Sequence, residues 1–256
     1  MTALLAISVG NSRTALGAFR DGSLLESDRV NNTDQAGTLE RAGRLWKLLR
    51  DDDSPMCVIA SVNDPVADAL EPRLASALDA EPARVGRDLA APIGECLDPG
   101  AVPGADRLLN AAAAWDVMKS ACVVIDAGTA ITVDFIDGDG VFHGGAIAPG
   151  ASLQLASLHE HTSKLPKVAF ASPEDAPFGR NTAEAMLQGV FHGIRGMVWR
   201  LVERYAQSYG AFPPVIATGG DAATLFADDE LVDRIVPELT LMGIAVAVRR
   251  ASEVEQ

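Results

Sequence analysis

Ser8-Val9-Gly10-Asn11-Ser12-Arg13-Thr14 and Asp126-Ala127-Gly128-Thr129-Ala130-Ile131-Thr132 read as two versions of one turn. Glycine and threonine recur in step, 118 residues apart. The flanks repeat as well. Leu4 to Ile7 and Cys122 to Ile125 are short apolar runs that enter each motif as a strand, and Ala15 to Phe19 and Val133 to Ile136 leave it as another. Asp21-Gly22 and Asp137-Gly138 supply the next hairpin turns, and Leu24-Leu25 and Val141-Phe142 begin third strands. A second echo follows. Val58-Ile59-Ala60-Ser61-Val62-Asn63-Asp64 resembles Val215-Ile216-Ala217-Thr218-Gly219-Gly220-Asp221, each a buried strand that turns into a helix. Two matched sets in the same order predict a duplicated unit.

The expected architecture is α/β: two related lobes facing each other across a phosphate-binding cleft, divided as 1–104 and 105–256. The second begins with a linking helix, Asp106 to Met118, rich in good helix formers from Leu108 to Ala114. Further helices are expected at Asn181 to Tyr209, Ala222 to Phe226 and Leu241 to Arg250. Asp98 to Gly104 and Lys164 to Gly179, with their prolines and glycines, read as loops.

Composition narrows the function. The 256 residues are 48% apolar and 22% charged, enough for a true core. No apolar run approaches the roughly 18 residues that span a bilayer, and the stretch from Ala3 to Val9 reads as a buried strand. The reading is therefore a soluble protein with no membrane partner. A net charge of −14 argues against nucleic acid, whose phosphates require clustered Lys and Arg. Cys57, Cys96 and Cys122 are an odd, widely spaced set that suits reduced thiols in the cytoplasm.

Several residues carry candidate chemistry. Gly10 in its hairpin lets backbone amides approach an anion, Asn11, Ser12 and Thr14 add side-chain donors, and Arg13 adds charge. Asp126 ends a buried strand beside the second glycine turn. It is either the ligand of a hard cation shared with phosphate oxygens or a cap for the turn's own amides. Asp106 in Gly104-Ala105-Asp106-Arg107 is either the N-cap of the helix or a general base, with Arg107 as an anion clamp. Gly144 to Gly150 reads as a glycine-rich turn leading to a helix, too loose for a dinucleotide fingerprint. Thr182 is either a helix cap or a ligand contact. Gly219 and Gly220 are either a tight turn or a bed for a base or ribose. His143, His159 and His161 suit surface or packing roles.

Taken together, these motifs resemble the type III pantothenate kinases, members of the superfamily of acetate kinase, sugar kinases, Hsp70 and actin. The resemblance covers nearly the whole chain. It implies two RNase H-like lobes, a homodimer, and ATP-dependent phosphorylation of pantothenate, the first step of coenzyme A synthesis. It further implies that Asp106 accepts the substrate hydroxyl proton and that Gly104, Ala105, Asp106 and Arg107 hold pantothenate, with Arg107 near its carboxylate. Thr182 is implied as a further pantothenate contact. Asp126 is implied as the ligand of a monovalent cation, K⁺ or NH₄⁺. Thr129 and the loop Gly10 to Ala15 are implied to touch ATP phosphate, with Mg²⁺ accompanying the nucleotide.

Three positions depart from the family pattern. Ser8 stands where the family has Asp, Ala15 where lysine is frequent, and Leu97 where a tyrosine usually stands near the pantothenate pocket. Serine cannot supply the charge of a carboxylate, and phosphoryl transfer depends on positioning and charge. The alternatives kept open are a non-catalytic binding protein on the same fold and a kinase for another small hydroxylated substrate.

Overall fold

A computed structural model describes residues 2–254. The outermost residues of the two expected lobes, 1 and 255–256, lie outside it. The described chain forms two compact units, 2–117 with 238–254 and 118–237. They are drawn elsewhere than the expected division after residue 104, because the linking helix and the last helix both group with the first unit.

In the first unit, β1 (Ala3–Val9), β2 (Arg13–Arg20) and β3 (Ser23–Asn31) form an antiparallel meander. The helix α1 (Gln35–Trp46) follows, capped by the Asp34 side chain, which accepts from the Gly37 amide. The chain returns through β4 (Met56–Ser61), parallel to β1, then α2 (Asp64–Leu78) and the short β5 (Ala83–Arg84). The strand order is β3-β2-β1-β4-β5. Alternation along β1 sends Leu5, Ile7 and Val9 to one face, where Ala42, Leu45, Leu70 and Leu74 of α1 and α2 cover them. Leu4 and Ala6 go to the other face, against α3 (Ala105–Met118), through Leu109, and α7 (Leu239–Val254), through Leu241, Ile244 and Val248. A two-residue β6 (Gly94–Glu95) precedes α3.

The second unit repeats this plan. β7 (Cys122–Ala127), β8 (Ala130–Ile136) and β9 (Val141–Pro149) are antiparallel, while β10 (Val215–Thr218) and β11 (Arg234–Ile235) add parallel strands beyond β7. Within the unit the order is β9-β8-β7-β10-β11, the first unit's order strand for strand. One face carries α4 (Ala151–Glu160), α5 (Thr182–Tyr209) and α6 (Ala222–Phe226). In α5, Met186, Val190, Ile194, Val198, Val202 and Ala206 recur every fourth residue and form its buried stripe. The duplication and both RNase H-like lobes are thus present.

Two readings change. Gly144 to Pro149 is not a turn but the second half of β9. Its glycines have a strand reason: Gly144 takes φ +84°, and a Cβ on Gly145 would stand 2.0 Å from the Val133 carbonyl oxygen, beside the irregular register of β8 and β9 between Asp134 and Ile136. The two glycine hairpins also differ in length. Val9 pairs with Thr14, but Ala127 pairs with Ile131, so the second turn is one residue shorter. Thr14 and Thr132, in step by sequence, are therefore not equivalent. The residue opposite Ser8 is Ala15, and the residue opposite Asp126 is Thr132.

Candidate active site

In the first unit the predicted residues gather at one edge of the sheet. The turn Gly10 to Arg13 joins β1 to β2 and is held from three directions. The Gly10 amide donates to Arg13 O at 2.9 Å. Asn32 grips the turn three times: its Nδ2 donates to Gly10 O (2.8 Å), its amide to Ser12 O (3.0 Å), and its Oδ1 accepts from the buried Thr14 hydroxyl (2.9 Å). Asn63, just past β4, donates from Nδ2 to Asn11 O at 3.3 Å. Asn63 is itself fixed by the Ser61 hydroxyl oxygen, which accepts its amide at 2.9 Å. Thr14, buried, braces the turn from the core side, whereas Asn11, Ser12 and Arg13 are exposed.

Gly104 comes to the same edge. A Cβ on it would stand 2.7 Å from Asp106 Oδ1 and 3.4 Å from the Val62 side chain, so glycine admits the carboxylate folded back over the start of α3. Gly104 O accepts the Arg107 and Leu108 amides, which opens the helix ahead of Asp106. Asp106 is therefore inside the helix, not its N-cap. Its Oδ1 accepts the Arg107 amide at 2.8 Å. Asp106 and Arg107 are both half-buried. The β4 end thus joins the phosphate-type turn, through Asn63, to the Gly104 to Asp106 segment, through Val62. Ser8 lies one residue before the end of β1, half-buried, with Ala15 opposite on β2 and Ala60 beside it on β4. Leu97 is half-buried in the loop before α3.

The second unit builds a related cluster of its own. Asp126 lies near the end of β7, with Thr132 opposite on β8 and Thr218 beside it on β10. Gly219, at φ +96°, runs so close that a Cβ would stand 2.4 Å from Ala127 O and 2.5 Å from Asp126 Oδ1. The Asp221 amide donates to Ala127 O at 2.9 Å, tying the Thr218 to Asp221 turn to β7. Beneath the Gly128-Thr129 turn, Gly150 donates to Thr129 O at 2.9 Å and leaves no room for a side chain against Gly128 O. Asp126, Thr129, Gly219 and Gly220 are thus assembled in one place. A carboxylate among backbone and hydroxyl oxygens is a donor set that fits a hard cation.

Thr182 stands elsewhere in this unit. Asn181 caps α5, its side chain accepting the Glu184 amide at 2.9 Å, so Thr182 is the first helical residue and not the cap. It lines a groove of about 800 Å³ between α4 and α5, with Pro149, Leu153, Leu158, Met186 and Val190. The histidines do local work: His159 Nδ1 bonds Leu165 O at 2.8 Å, and His143 Nε2 bonds Asp137 Oδ2 at 2.7 Å. Asn32 and Asn63 are the site residues that the sequence reading missed. Asn63 lay inside the second echo, two residues past the end of β4, but nothing local marked its bond to a turn 52 residues earlier.

Residues 4–204 match the family model of the type III pantothenate kinases. A type III pantothenate kinase from Dehalococcoides mccartyi is 34% identical over 95% of this chain and 96% of its own. One from Paramagnetospirillum magneticum is 37% identical over 97% and 98%. Among solved structures, a Campylobacter jejuni protein assigned to the Baf family of transcriptional activators superposes with a TM-score of 0.63 at 20% identity, covering 97% of this chain and 99% of its own. The Clostridium difficile activator of 2-hydroxyisocaproyl-CoA dehydratase, solved with bound ADPNP, has a TM-score of 0.57 at 14% identity, over 99% and 97%. These likenesses carry the fold, and the near full-length kinship with the two kinases carries more: the chain belongs to the type III pantothenate kinase family.

Proposed function

We propose that the protein transfers the γ-phosphoryl group of ATP to the hydroxyl of pantothenate, giving 4′-phosphopantothenate for coenzyme A synthesis. The observation that carries this is the placement of a carboxylate, Asp106, at the same sheet edge as a phosphate-type turn. Asp106 accepts the hydroxyl proton as the oxygen attacks, a role that typically contributes about 10²–10⁴-fold. Arg107, with Gly104 and Ala105, orients pantothenate through its carboxylate. The turn from Gly10 to Ala15 and Thr129 contact ATP phosphate, and Gly219 and Gly220 give the nucleoside a flat backbone surface. Asp126 holds K⁺ or NH₄⁺. Mg²⁺, bound with ATP, neutralises phosphate charge.

The working form is a cytoplasmic homodimer. Supporting this, Ile147, Leu153 and Phe178 are exposed large apolar residues of the second unit, and Leu153 also lines the groove that contains Thr182. Among the described residues no helix is long and apolar enough to cross a membrane.

Incubation with pantothenate, ATP, Mg²⁺ and K⁺ should yield phosphopantothenate by mass spectrometry, and Asp106→Asn should abolish it while ATP still binds. Turnover retained in Asp106→Asn would remove Asp106 as the base. No product from the natural chain, with ATP binding intact, would favour a non-catalytic binding protein.

A further inference from the structure

The two glycine hairpins share a backbone plan but differ at one level. In the second, the three residues abreast on β8, β7 and β10 are Thr132, Asp126 and Thr218, all with oxygen-bearing side chains. In the first, the residues abreast on β2, β1 and β4 are Ala15, Ser8 and Ala60, with a single neutral hydroxyl among them. No carboxylate stands there to hold a divalent cation or its waters.

The turn's own carbonyls are also committed. Gly10 O, Asn11 O, Ser12 O and Arg13 O each accept a hydrogen bond from within the unit, from Asn32 Nδ2, Asn63 Nδ2, the Asn32 amide and the Gly10 amide. A turn whose carbonyls are drawn inward presents its donor side outward, the polarity that suits an anion and not a cation. Arg13, exposed at the tip, adds the only formal charge between Ser8 and Ala15, and no ion pair among the described residues engages it.

We propose that this hairpin is a metal-independent phosphate clamp, in which Arg13 supplies the positive charge that a carboxylate-held divalent cation would otherwise bring. It rests on the kinase reading, since ATP is the ligand whose phosphates it grips. In such a clamp, restoring a carboxylate at position 8 is harmful to metal-free nucleotide: it sets a negative charge beside the phosphates with no cation opposite, because position 15 is alanine.

The test is ATP affinity by calorimetry, with Mg²⁺ and with EDTA in its place, at constant K⁺. The natural chain should bind ATP in EDTA within a few-fold of its affinity in Mg²⁺. Arg13→Ala should weaken binding by about tenfold or more in both conditions, and Arg13→Lys should restore part of it, as expected for a charge-assisted contact worth ~1.5–3 kcal/mol. Ser8→Asp should weaken binding in EDTA much more than in Mg²⁺. Loss of binding in EDTA by the natural chain, or an unchanged affinity in Arg13→Ala, overturns the clamp. The kinase reading is judged separately. Phosphopantothenate formed by a protein that cannot bind ATP in EDTA keeps the kinase and removes the clamp. Metal-free binding with no product keeps the clamp and removes the kinase.

Discussion

Gly219 holds φ +96° while its α-carbon passes within side-chain distance of Ala127 O and Asp126 Oδ1. A methyl group there meets both a forbidden backbone region and a backbone atom that cannot yield. Gly219→Ala should therefore destabilise the protein by about 1–3 kcal/mol in urea unfolding. It should also lower activity through the displaced Asp126; a variant of natural stability would show that the loop relaxes freely. Asn32 makes a second single-residue case. Its amide nitrogen donates to Gly10 O and its amide oxygen accepts from buried Thr14. Asn32→Asp keeps the shape but sets a carboxylate oxygen against a carbonyl, and should cost about 1–3 kcal/mol. An Asn32→Asp variant as stable as the natural chain would show that the donor half of this bridge contributes nothing. Neither Asn32 nor Asn63 was legible in the sequence as a site residue. Each acts on a turn that is distant along the chain, 22 residues away for Asn32 and 52 for Asn63, and no local spacing marks such a bond. Asp106 was legible as a candidate, but its rejection as the N-cap required seeing Gly104 O open the helix.

The hairpin joining β8 to β9 is pinned by Asp137. Its Oδ1 accepts the Asp139 and Val141 amides at 3.0 and 2.9 Å, and its Oδ2 meets His143 Nε2 at 2.7 Å. Burial alone would raise this carboxyl, but the bonds from His143, Val141 and Asp139 outweigh it and hold the group below the ordinary carboxylate range. A carboxyl that ionises more readily when folded stabilises the native state above the unfolded pKa of ~3.9. That contribution fades as the pH falls through the lower folded value. Asp137→Asn should therefore be less stable than the natural chain at pH 7, with the gap closing toward pH 3 in urea titrations. Parallel stability curves would show that this hairpin does not contribute to acid sensitivity. The element also shows where pattern reading fails. Asp137-Gly138 was legible as a turn by composition, but Gly144 to Pro149 was not legible as a strand, because its glycines mimic turn chemistry. They are there because β8 crowds them: Gly145 lies against Val133 O and the Asp134 side chain. The long helix α5 had no such competition, and its four-residue apolar rhythm, starting one residue after the expected Asn181, was plain.

Duplication explains the order of the chain but not its grouping. Each unit is a five-strand plan, yet the first recruits its last helix from the far end of the sequence. Helix α7 covers Leu4, Ala6, Phe19 and Val58 with Leu241, Ile244, Ala247 and Val248. Burial of a leucine or isoleucine side chain is worth ~1.5–3 kcal/mol, so loss of α7 removes a large share of a typical domain's stability from the first unit alone. Two buried cysteines report on this, one in each unit: Cys57 on β4 and Cys122 on β7. Burial pushes both thiols up to about 12, with Glu71 adding to the effect at Cys57, whereas Cys96 is exposed. Since the thiolate is the reactive form, an aromatic disulfide reagent at pH 8 should modify only Cys96 in the intact chain. In a chain shortened to end at Pro237, Cys57 should become reactive because the first sheet, stripped of α7 on the face opposite Cys57, is less stable and opens more often. Cys122 should stay protected, since its sheet keeps α4, α5 and α6. Mass mapping of the modified peptides separates the three sites. Protection of Cys57 in the shortened chain would mean that α1 and α2 suffice to hold the first sheet. Exposure of both buried thiols together would mean that the second unit cannot persist once the first has opened.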